Sequence, residues 1–187
     1  MRSKFILTSL VISAALLVTA FTGTNYIRYY QPVSVDYTAL SKPMQKQVDC
    51  LAQNILFEAG HESKEGQVAV AMVTLNRVAS GNYAHDVCGV VKQKTGNTCQ
   101  FSWVCEVKNA AKRLTLLNSP LYNDIRELAV HVLFNYDKMQ DVTKGATYYH
   151  ADYVNPRWGL PQTTKIGRHI FYKRNSDIET MNKEIKL

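Results

Sequence analysis

The stretch from Cys50 to Arg77 sets the strongest limit on the fold, because it contains two apolar helical patterns separated by a glycine. At about 100° per residue the first pattern makes one apolar stripe, formed by Val48, Leu51, Ala52, Ile55 and Ala59. Glu58 stands seven positions after Leu51 on the same edge, so a carboxylate borders the buried face. Gly60 offers a helix end, since glycine tolerates the left-handed conformation found there.

Glu58 is the leading candidate for a catalytic residue. It would lie at a helix C-terminus, near the negative end of the helix dipole and beside apolar neighbours, and both effects favour the protonated carboxyl. A carboxyl that keeps its proton near neutral pH is a general acid. From the local pattern alone, an ordinary solvated helix-end glutamate is the alternative.

Further patterns predict the other ordered elements. The sequence predicts a first helix over residues 43–59, a second over 65–79, a third opening at Ser119 and Pro120, and two short strands over 146–150 and 170–173. The second helix should be buried on most sides, because apolar residues cover most of its faces. The third has one apolar stripe and should pack on the second helix.

The four cysteines fall in the middle third of the chain, at Cys50, Cys88, Cys99 and Cys105. Their spacing lacks the close pairs of a zinc cluster. In an oxidising compartment two disulfides are the natural interpretation, and four cysteines allow three connectivities. We favour Cys99 with Cys105 and Cys50 with Cys88; the alternative is four reduced thiols in a cytosolic protein.

The N-terminus predicts export. Arg2 and Lys4 precede an uncharged run from Phe5 to Gly23, which fits either a secretory signal or a marginal membrane span. The positive flank places the rest of the chain outside the cytoplasm in both cases, in the periplasm or cell envelope and in one case anchored in the inner membrane. We therefore divide the chain into an export segment (1–23), a linker (24–43), a folded domain (44–174) and a polar tail (175–187).

The chain of 187 residues carries a net charge of +7, which suits acidic partners. The basic residues are scattered, with no dense run interleaved with aromatics, so nucleic-acid binding is disfavoured. His61 and Glu62 begin a zinc-peptidase pattern, but HExxH requires a histidine where Glu65 stands. We expect a monomer without metal or cofactor.

Two segments carry side chains typical of sugar sites. A disulfide from Cys99 to Cys105 would hold an amide, a hydroxyl and an indole together, those of Gln100, Ser102 and Trp103. Core packing of the indole is the alternative. The two strands and their connection would place Tyr148 or Tyr149, with His150 and Trp158, beside the glutamate, and alternation allows only one of the two tyrosines to face it. We take Tyr149 and His150 as candidate substrate-binding residues.

Seven stretches, in order between Cys50 and Lys173, resemble the SleB/CwlJ-type cell wall hydrolases, the family of the spore-cortex lytic enzymes. They are Phe57–Glu62, Glu65–Ala71, Leu75–Val78, Val87–Val91, Cys99–Trp103, Gly145–His150 and Ile166–Tyr172. Gly60 departs from the pattern, because members of the family usually have an arginine there.

The resemblance implies an α+β fold, mainly helical and lysozyme-like or transglycosylase-like, with a small antiparallel β element and one catalytic glutamate at Glu58. It makes residues 44–174 a cell wall hydrolase domain that cuts the glycan strand of peptidoglycan between N-acetylmuramic acid and N-acetylglucosamine. The apolar N-terminus also resembles the signal-anchor-release segments of phage endolysins. A bacterial wall-remodelling enzyme is the other expected setting.

The mechanism depends on the number of carboxylates. A retaining or inverting hydrolase needs a second one across the bond, and spacing singles out none of Glu62, Glu65, Glu106 and Asp152. A lytic transglycosylase needs one glutamate, because the muramic acid 6-hydroxyl closes the ring. We therefore prefer the transglycosylase to a water-using muramidase. A non-catalytic wall-binding module tethered to the membrane and a zinc amidase or peptidase are the other hypotheses.

Overall fold

The computed structural model describes residues 35–106 and 110–174. The expectations for the export segment, most of the linker and the polar tail lie outside these residues. The helices are α1 (Lys42–Ala59), α2 (Lys64–Ala79), α3 (Val87–Lys92), α4 (Ser102–Cys105), α5 (Ala110–Leu117) and α6 (Pro120–Asn135). The strands are β1 (Lys94–Thr95), β2 (Thr98–Cys99), β3 (Tyr148–Ala151), β4 (Gln162–Ile166) and β5 (His169–Tyr172).

Helix α1 begins and ends where the sequence predicts. Ser41 precedes it and Pro43 lies in its first turn, where proline has no hydrogen bond to lose. It ends at Ala59, and the amide of Gly60 donates to the carbonyl of Leu56 at 3.1 Å. The expected left-handed glycine is wrong, because Gly60 has a φ of −58° and continues the right-handed turn.

Helix α2 is buried on all sides over most of its length, as its apolar faces predict. The side chain of Ser63 caps it by accepting from the amide of Gly66 at 3.2 Å. Every residue from Gly66 to Arg77 is buried. This helix separates two apolar clusters, so it forms the centre of the domain.

The larger cluster lies between α1, α2, α3 and α6. Its fully buried members include Val48, Leu51, Ile55, Met72, Val90, Ile125 and Val132. Each side chain of this size stabilises the fold by about 1.5–3 kcal/mol when removed from water. Helix α6 packs more extensively against α1 than against α2, so the expectation that it packs on the second helix is only partly right.

The smaller cluster joins α2 to a three-stranded antiparallel sheet. The strand order is β3, β5, β4, so β5 lies in the middle. Ala69 and Val73 of α2 pack against Ala146, Ile166 and Phe171. Strand β4 is absent from the sequence prediction, because its residues are mostly polar and only Ile166 is buried.

Two disulfides tie the helical part together. Cys50 of α1 is bonded to Cys88 of α3, and Cys99 of β2 to Cys105 at the end of α4. This pairing is the one favoured in the sequence analysis. Residues 87–105, for which the sequence predicts no helix or strand, form helix α3, the β1–β2 hairpin and the short helix α4.

The end of the expected linker belongs to the fold. Residues 37–39 form a 3₁₀ turn, and the hydroxyl of Tyr37 donates to the Asp49 carboxylate at 2.8 Å. The guanidinium of Arg126 lies 4.5 Å from the centre of the Tyr37 ring. No helix among residues 35–106 and 110–174 is long and apolar enough to cross a membrane.

Candidate active site

A pocket of about 590 Å³ opens where α1 ends, between the α4–α5 segment and the edge of strand β3. Such a volume is typical of a small-molecule site. The residues that line it are Leu56, Phe57, Glu58, His61, Ser102, Trp103, Glu106, Lys112, Arg113, Leu116, Tyr149, His150, Ala151, Tyr153 and His169. The pocket therefore brings together Glu58 and most of the candidate binding residues.

Glu58 lies in the last turn of α1 and is held by a tyrosine. The hydroxyl of Tyr149 donates to Oε2 of Glu58 at 3.0 Å. Burial raises the pKa of Glu58 above its usual value, and the negative charge of Glu106 adds to this rise. The Tyr149 hydrogen bond and the positive charge of Arg77 act in the opposite direction, and the net pKa remains raised.

Tyr149 is fixed by its neighbours in the sheet. It pairs with Phe171 across β3 and β5, and the two ring centres are 5.7 Å apart. The His169 ring meets the Tyr149 ring edge-on at 5.1 Å. Burial raises the pKa of Tyr149 well above its usual value, so its hydroxyl keeps the proton that it donates to Glu58.

Two consecutive residues of α2 anchor the segment that leads into β3. The side-chain amide of Asn76 donates to the Ala146 carbonyl at 2.9 Å, and Nε of the buried Arg77 donates to the Thr147 carbonyl at 2.7 Å. The Arg77 guanidinium also lies 5.2 Å from the centre of the Phe101 ring. Sequence reasoning missed this pair, although an arginine inside an otherwise apolar helix was a visible signal.

Trp103 forms the opposite wall and is equally constrained. It stacks on Phe57 with ring centres 4.7 Å apart, and its indole Nε1 donates to Oδ1 of the buried Asn54 at 3.0 Å. The Arg113 guanidinium lies 5.2 Å from the Trp103 ring centre and donates to the Trp103 carbonyl. The Trp103 indole packs against its neighbours and also lines the pocket. It therefore combines the two positions that the sequence offered as alternatives, one in the core and one at a binding site.

The remaining predicted binding residues are placed differently from one another. Ser102 and His150 line the pocket, and the His150 ring stacks on Tyr172 with centres 5.2 Å apart. Gln100 is exposed, and its amide donates to Oγ1 of Thr95 at 3.3 Å. Within the described part of the chain it is not among the pocket residues, so the structure does not bring Gln100 to the site.

Of the four carboxylates proposed as partners for Glu58, Glu106 lines the pocket. Glu62 accepts from the amide of Arg168 at 3.3 Å, and Asp152 pairs with Lys165 at 3.4 Å and with Arg168 at 3.3 Å. Glu65 is exposed in the first turn of α2. Residues 35–106 and 110–174 contain no group of three or more histidine, cysteine or acidic side chains placed to hold a metal ion.

His169 is a further residue that lines the pocket. It is buried, and burial lowers the pKa of its imidazole. Its Nδ1 has no hydrogen-bond partner among the described residues. The pocket therefore contains a neutral ring beside Tyr149, in addition to the acid.

The model of a protein family described as Cell Wall Hydrolase matches residues 61–172. This chain belongs to the cell wall hydrolase family. The assignment confirms the SleB/CwlJ-type resemblance seen in the sequence. Glu58 lies just before the matched segment, so its candidacy rests on the geometry of the pocket.

Curated relatives of this cell wall hydrolase are spore cortex-lytic enzymes. The one from Halalkalibacterium halodurans is 30% identical over 131 residues, which cover 66% of this chain and 34% of that protein. The one from Bacillus subtilis is 30% identical over 128 residues, covering 65% of this chain and 35% of that protein. The chain thus spans about a third of the length of these two relatives.

Solved structures of the family share the fold. The catalytic domain of the Bacillus cereus SleB protein matches this hydrolase with a TM-score of 0.51 at 31% identity, covering 69% of this chain and 91% of that one. The catalytic domain of the germination-specific lytic transglycosylase SleB from Bacillus anthracis matches with a TM-score of 0.52 at 29% identity, covering 72% and 98%. The predicted α+β class is confirmed.

Proposed function

We propose that this cell wall hydrolase cuts the glycan strand of peptidoglycan between N-acetylmuramic acid and N-acetylglucosamine as a lytic transglycosylase. The observation that carries the proposal is the Glu58 carboxyl, whose pKa is raised by burial, in a pocket lined by aromatic side chains. Family membership supports a wall polymer as the substrate. The transglycosylase activity named for the Bacillus anthracis relative supports the choice of reaction.

Glu58 acts first as the acid. Because the Tyr149 hydroxyl donates to Oε2, Oε1 is the oxygen left to carry the proton. That proton passes to the glycosidic oxygen while the bond from this oxygen to the anomeric carbon breaks. The sugar left behind becomes oxocarbenium-like, and Glu58 becomes a carboxylate stabilised by the Tyr149 hydrogen bond.

Glu58 then acts as the base. The 6-hydroxyl of the muramic acid attacks its own anomeric carbon, and the Glu58 carboxylate takes the hydroxyl proton. The ring closes as a 1,6-anhydro sugar, and the enzyme recovers the form in which it began. No water is consumed, so one group that exchanges one proton is sufficient for both steps.

The surroundings of Glu58 fit these two roles. Burial keeps the proton on the group before the first step, while Tyr149 and the positive charge of Arg77 stabilise the carboxylate after it. Glu106 is the other carboxylate in the pocket, and it is exposed to solvent. A water-using muramidase would rely on Glu106 as the second group, which makes that residue the point of distinction.

Mass spectrometry of digested peptidoglycan tests the proposal. The native hydrolase should release muropeptides with anhydro ends, which lack one water relative to muramidase products. Glu58→Gln should release none, whereas the control Glu65→Gln, an exposed glutamate outside the pocket, should digest normally. Hydrated ends would establish the muramidase, and free stem peptides would establish an amidase. Wall binding without digestion by the native chain would establish a non-catalytic module.

We also propose that the chain acts as an exported monomer at the cell envelope, either held at the membrane by the apolar run from Phe5 to Gly23 or released into the periplasm after this run is cleaved. The two disulfides support an oxidising compartment. Fractionation of cells that express the full chain would place it in the membrane or the periplasm. Cytosolic recovery with reduced thiols would refute the proposal.

A further inference from the structure

The loop between β3 and β4 displays a concentration of exposed apolar side chains. Among the described residues, five large apolar side chains are exposed, and three of them lie on this loop. Their exposed fractions are 77% for Tyr153, 45% for Val154 and 44% for Trp158. Apolar side chains grouped on a surface typically mark a binding site, whereas singly scattered ones need no explanation.

Tyr153 is the member of this group that reaches the pocket. It lines the rim together with Ala151, at the end of the strand that carries Tyr149 and His150. Trp158 is not among the pocket residues, and its ring meets those of Tyr148, His150 and Tyr172 edge-on. Trp158 therefore supports the loop, while Tyr153 lines the pocket and is exposed to solvent.

The start of this loop is tied down by hydrogen bonds. The amide of Val154 donates to the Ala151 carbonyl at 2.9 Å, and the amide of Asp152 donates to the Arg168 carbonyl at 2.7 Å. The Asp152 carboxylate accepts from Nε and Nη2 of Arg168, each at 3.3 Å. A binding surface on Tyr153 would thus lose little conformational freedom when it is occupied.

Arg168 also fixes the ring of Tyr153. Its guanidinium carbon lies 5.3 Å from the ring centre, in the position of a cation–π contact. The amide of Arg168 in turn donates to Glu62, which follows the end of α1. The Tyr153 ring therefore contacts a charged group that has its own partners, and the residue is 77% exposed to solvent.

We propose that Tyr153 forms a further sugar-binding subsite, on which an amino-sugar ring of the glycan strand stacks where the strand leaves the pocket. The proposal rests on the proposed function, because it takes the substrate to be a polymer longer than the pocket. An aromatic face carries partial negative charge, and the C–H hydrogens on one face of a pyranose ring carry partial positive charge. The subsite contributes to strand binding and takes no part in the proton transfers.

Binding to purified peptidoglycan, measured in the Glu58→Gln background so that the strand stays intact, tests the subsite. Tyr153→Ala should weaken binding about tenfold, which corresponds to about 1.4 kcal/mol, because the stacking face is lost. Tyr153→Phe should bind like the Glu58→Gln parent, because it keeps the ring face. Met44→Ala, which truncates an exposed apolar residue in the first turn of α1 and outside the pocket, should also bind like the parent.

The outcomes separate this proposal from the proposed function. Unchanged binding by Tyr153→Ala, or an equal loss in Tyr153→Phe, refutes the stacked sugar whatever the fate of Glu58. Failure of the Glu58→Gln parent to bind the wall refutes both proposals. If the Glu58→Gln parent digests the wall, the catalytic assignment of Glu58 is refuted. The Tyr153 variants are then compared by their KM for the polymer. In the active hydrolase, Tyr153→Ala should raise KM for the polymer and leave kcat unchanged.

Discussion

The hydroxyl of Tyr149 donates a hydrogen bond of 3.0 Å to Oε2 of Glu58, across a sequence separation of 91 residues. This contact joins the last turn of the first helix to the edge strand of the sheet, and both parts line the pocket. Its effect on Glu58 opposes that of burial, because burial raises the pKa and the hydrogen bond lowers it. A group that gives up a proton and later takes one back needs such a balance.

Tyr149→Phe removes the hydrogen bond and retains the ring that packs on Phe171. We expect digestion at the optimum pH to fall roughly tenfold, since a hydrogen bond to a charged group contributes about 1.5–3 kcal/mol. The loss of activity at high pH should move to higher pH, because the Glu58 carboxylate loses a donor that lowers its pKa. The pH dependence of kcat/KM measures both effects. An unchanged alkaline limb would contradict the role assigned to Tyr149.

Arg77→Met tests the second group that lowers the pKa of Glu58. The variant removes a buried positive charge and the hydrogen bond to the Thr147 carbonyl, so the alkaline limb should again move upward. The free energy of unfolding should fall by about 1–3 kcal/mol, because a buried acceptor loses its donor. Arg126→Met, which removes an arginine that packs on Tyr37 away from the pocket, should leave the pH profile unchanged. A profile unchanged in Arg77→Met would show that this charge does not reach Glu58.

The raised pKa of Glu58 also makes a prediction about stability. At pH values between the ordinary pKa of Glu58 in the unfolded chain and its raised pKa in the folded chain, the folded state binds more protons than the unfolded state. Glu58 therefore destabilises the fold increasingly as the pH rises through this range. Glu58→Gln does not titrate. Its melting temperature should therefore gain on that of the native chain as the pH rises through this window, and the difference should then stay constant. If the melting temperature of the native chain instead rose relative to that of the variant, the pKa of Glu58 would be lowered in the folded state.

Much of the helical part could be predicted from the sequence, because the apolar residues on the buried face of a helix recur with the helical period in a short stretch of sequence. The stripe through Leu51 and Ile55 placed Glu58 at the border of the core, and the apolar faces of the second helix predicted its burial. Strand β4 gave no such signal, since Ile166 is its one buried residue. The linker sequence likewise gave no signal that Tyr37 packs into the fold, because this packing depends on Asp49 and Arg126.

The site was harder to predict, because its contacts depend on register. Tyr148 and Tyr149 are adjacent, and only the pairing of Tyr149 with Phe171 decides which of them faces Glu58. Gln100 precedes the pocket residue Ser102 by two positions in the sequence, yet its side-chain amide donates to Thr95 of β1 and lies outside the pocket. Arg77 shows the same limit, since its partner Thr147 lies on a distant segment.

The two disulfides should contribute unequally to stability. The 38-residue separation of Cys50 and Cys88 is the longer one, so replacing this pair by alanine should cost about 4 kcal/mol. Replacing Cys99 and Cys105, six residues apart, should cost about 2 kcal/mol and should also lower activity, because the enclosed segment carries Trp103. Denaturant unfolding of the two double variants measures the difference. Equal losses would contradict the dependence on loop length.

Glu106→Gln decides how many carboxylates the reaction needs. Glu106 lines the pocket, and its negative charge raises the pKa of Glu58. If Glu58 acts alone, the variant should still digest the wall to anhydro products, and its alkaline limb should move to lower pH because Glu58 ionises more readily.

The two-carboxylate mechanism gives the opposite result for the same variant. A nucleophile or a base at position 106 cannot be replaced by an amide, so digestion would fall at least about a hundredfold at every pH. Products with hydrated ends from the native chain would accompany that loss. Glu62→Gln provides the matched control. The Glu62 carboxylate accepts from the amide of Arg168 in the turn between β4 and β5, and Glu62 is not among the pocket residues. Retained digestion by both variants leaves Glu58 as the single proton carrier of the pocket.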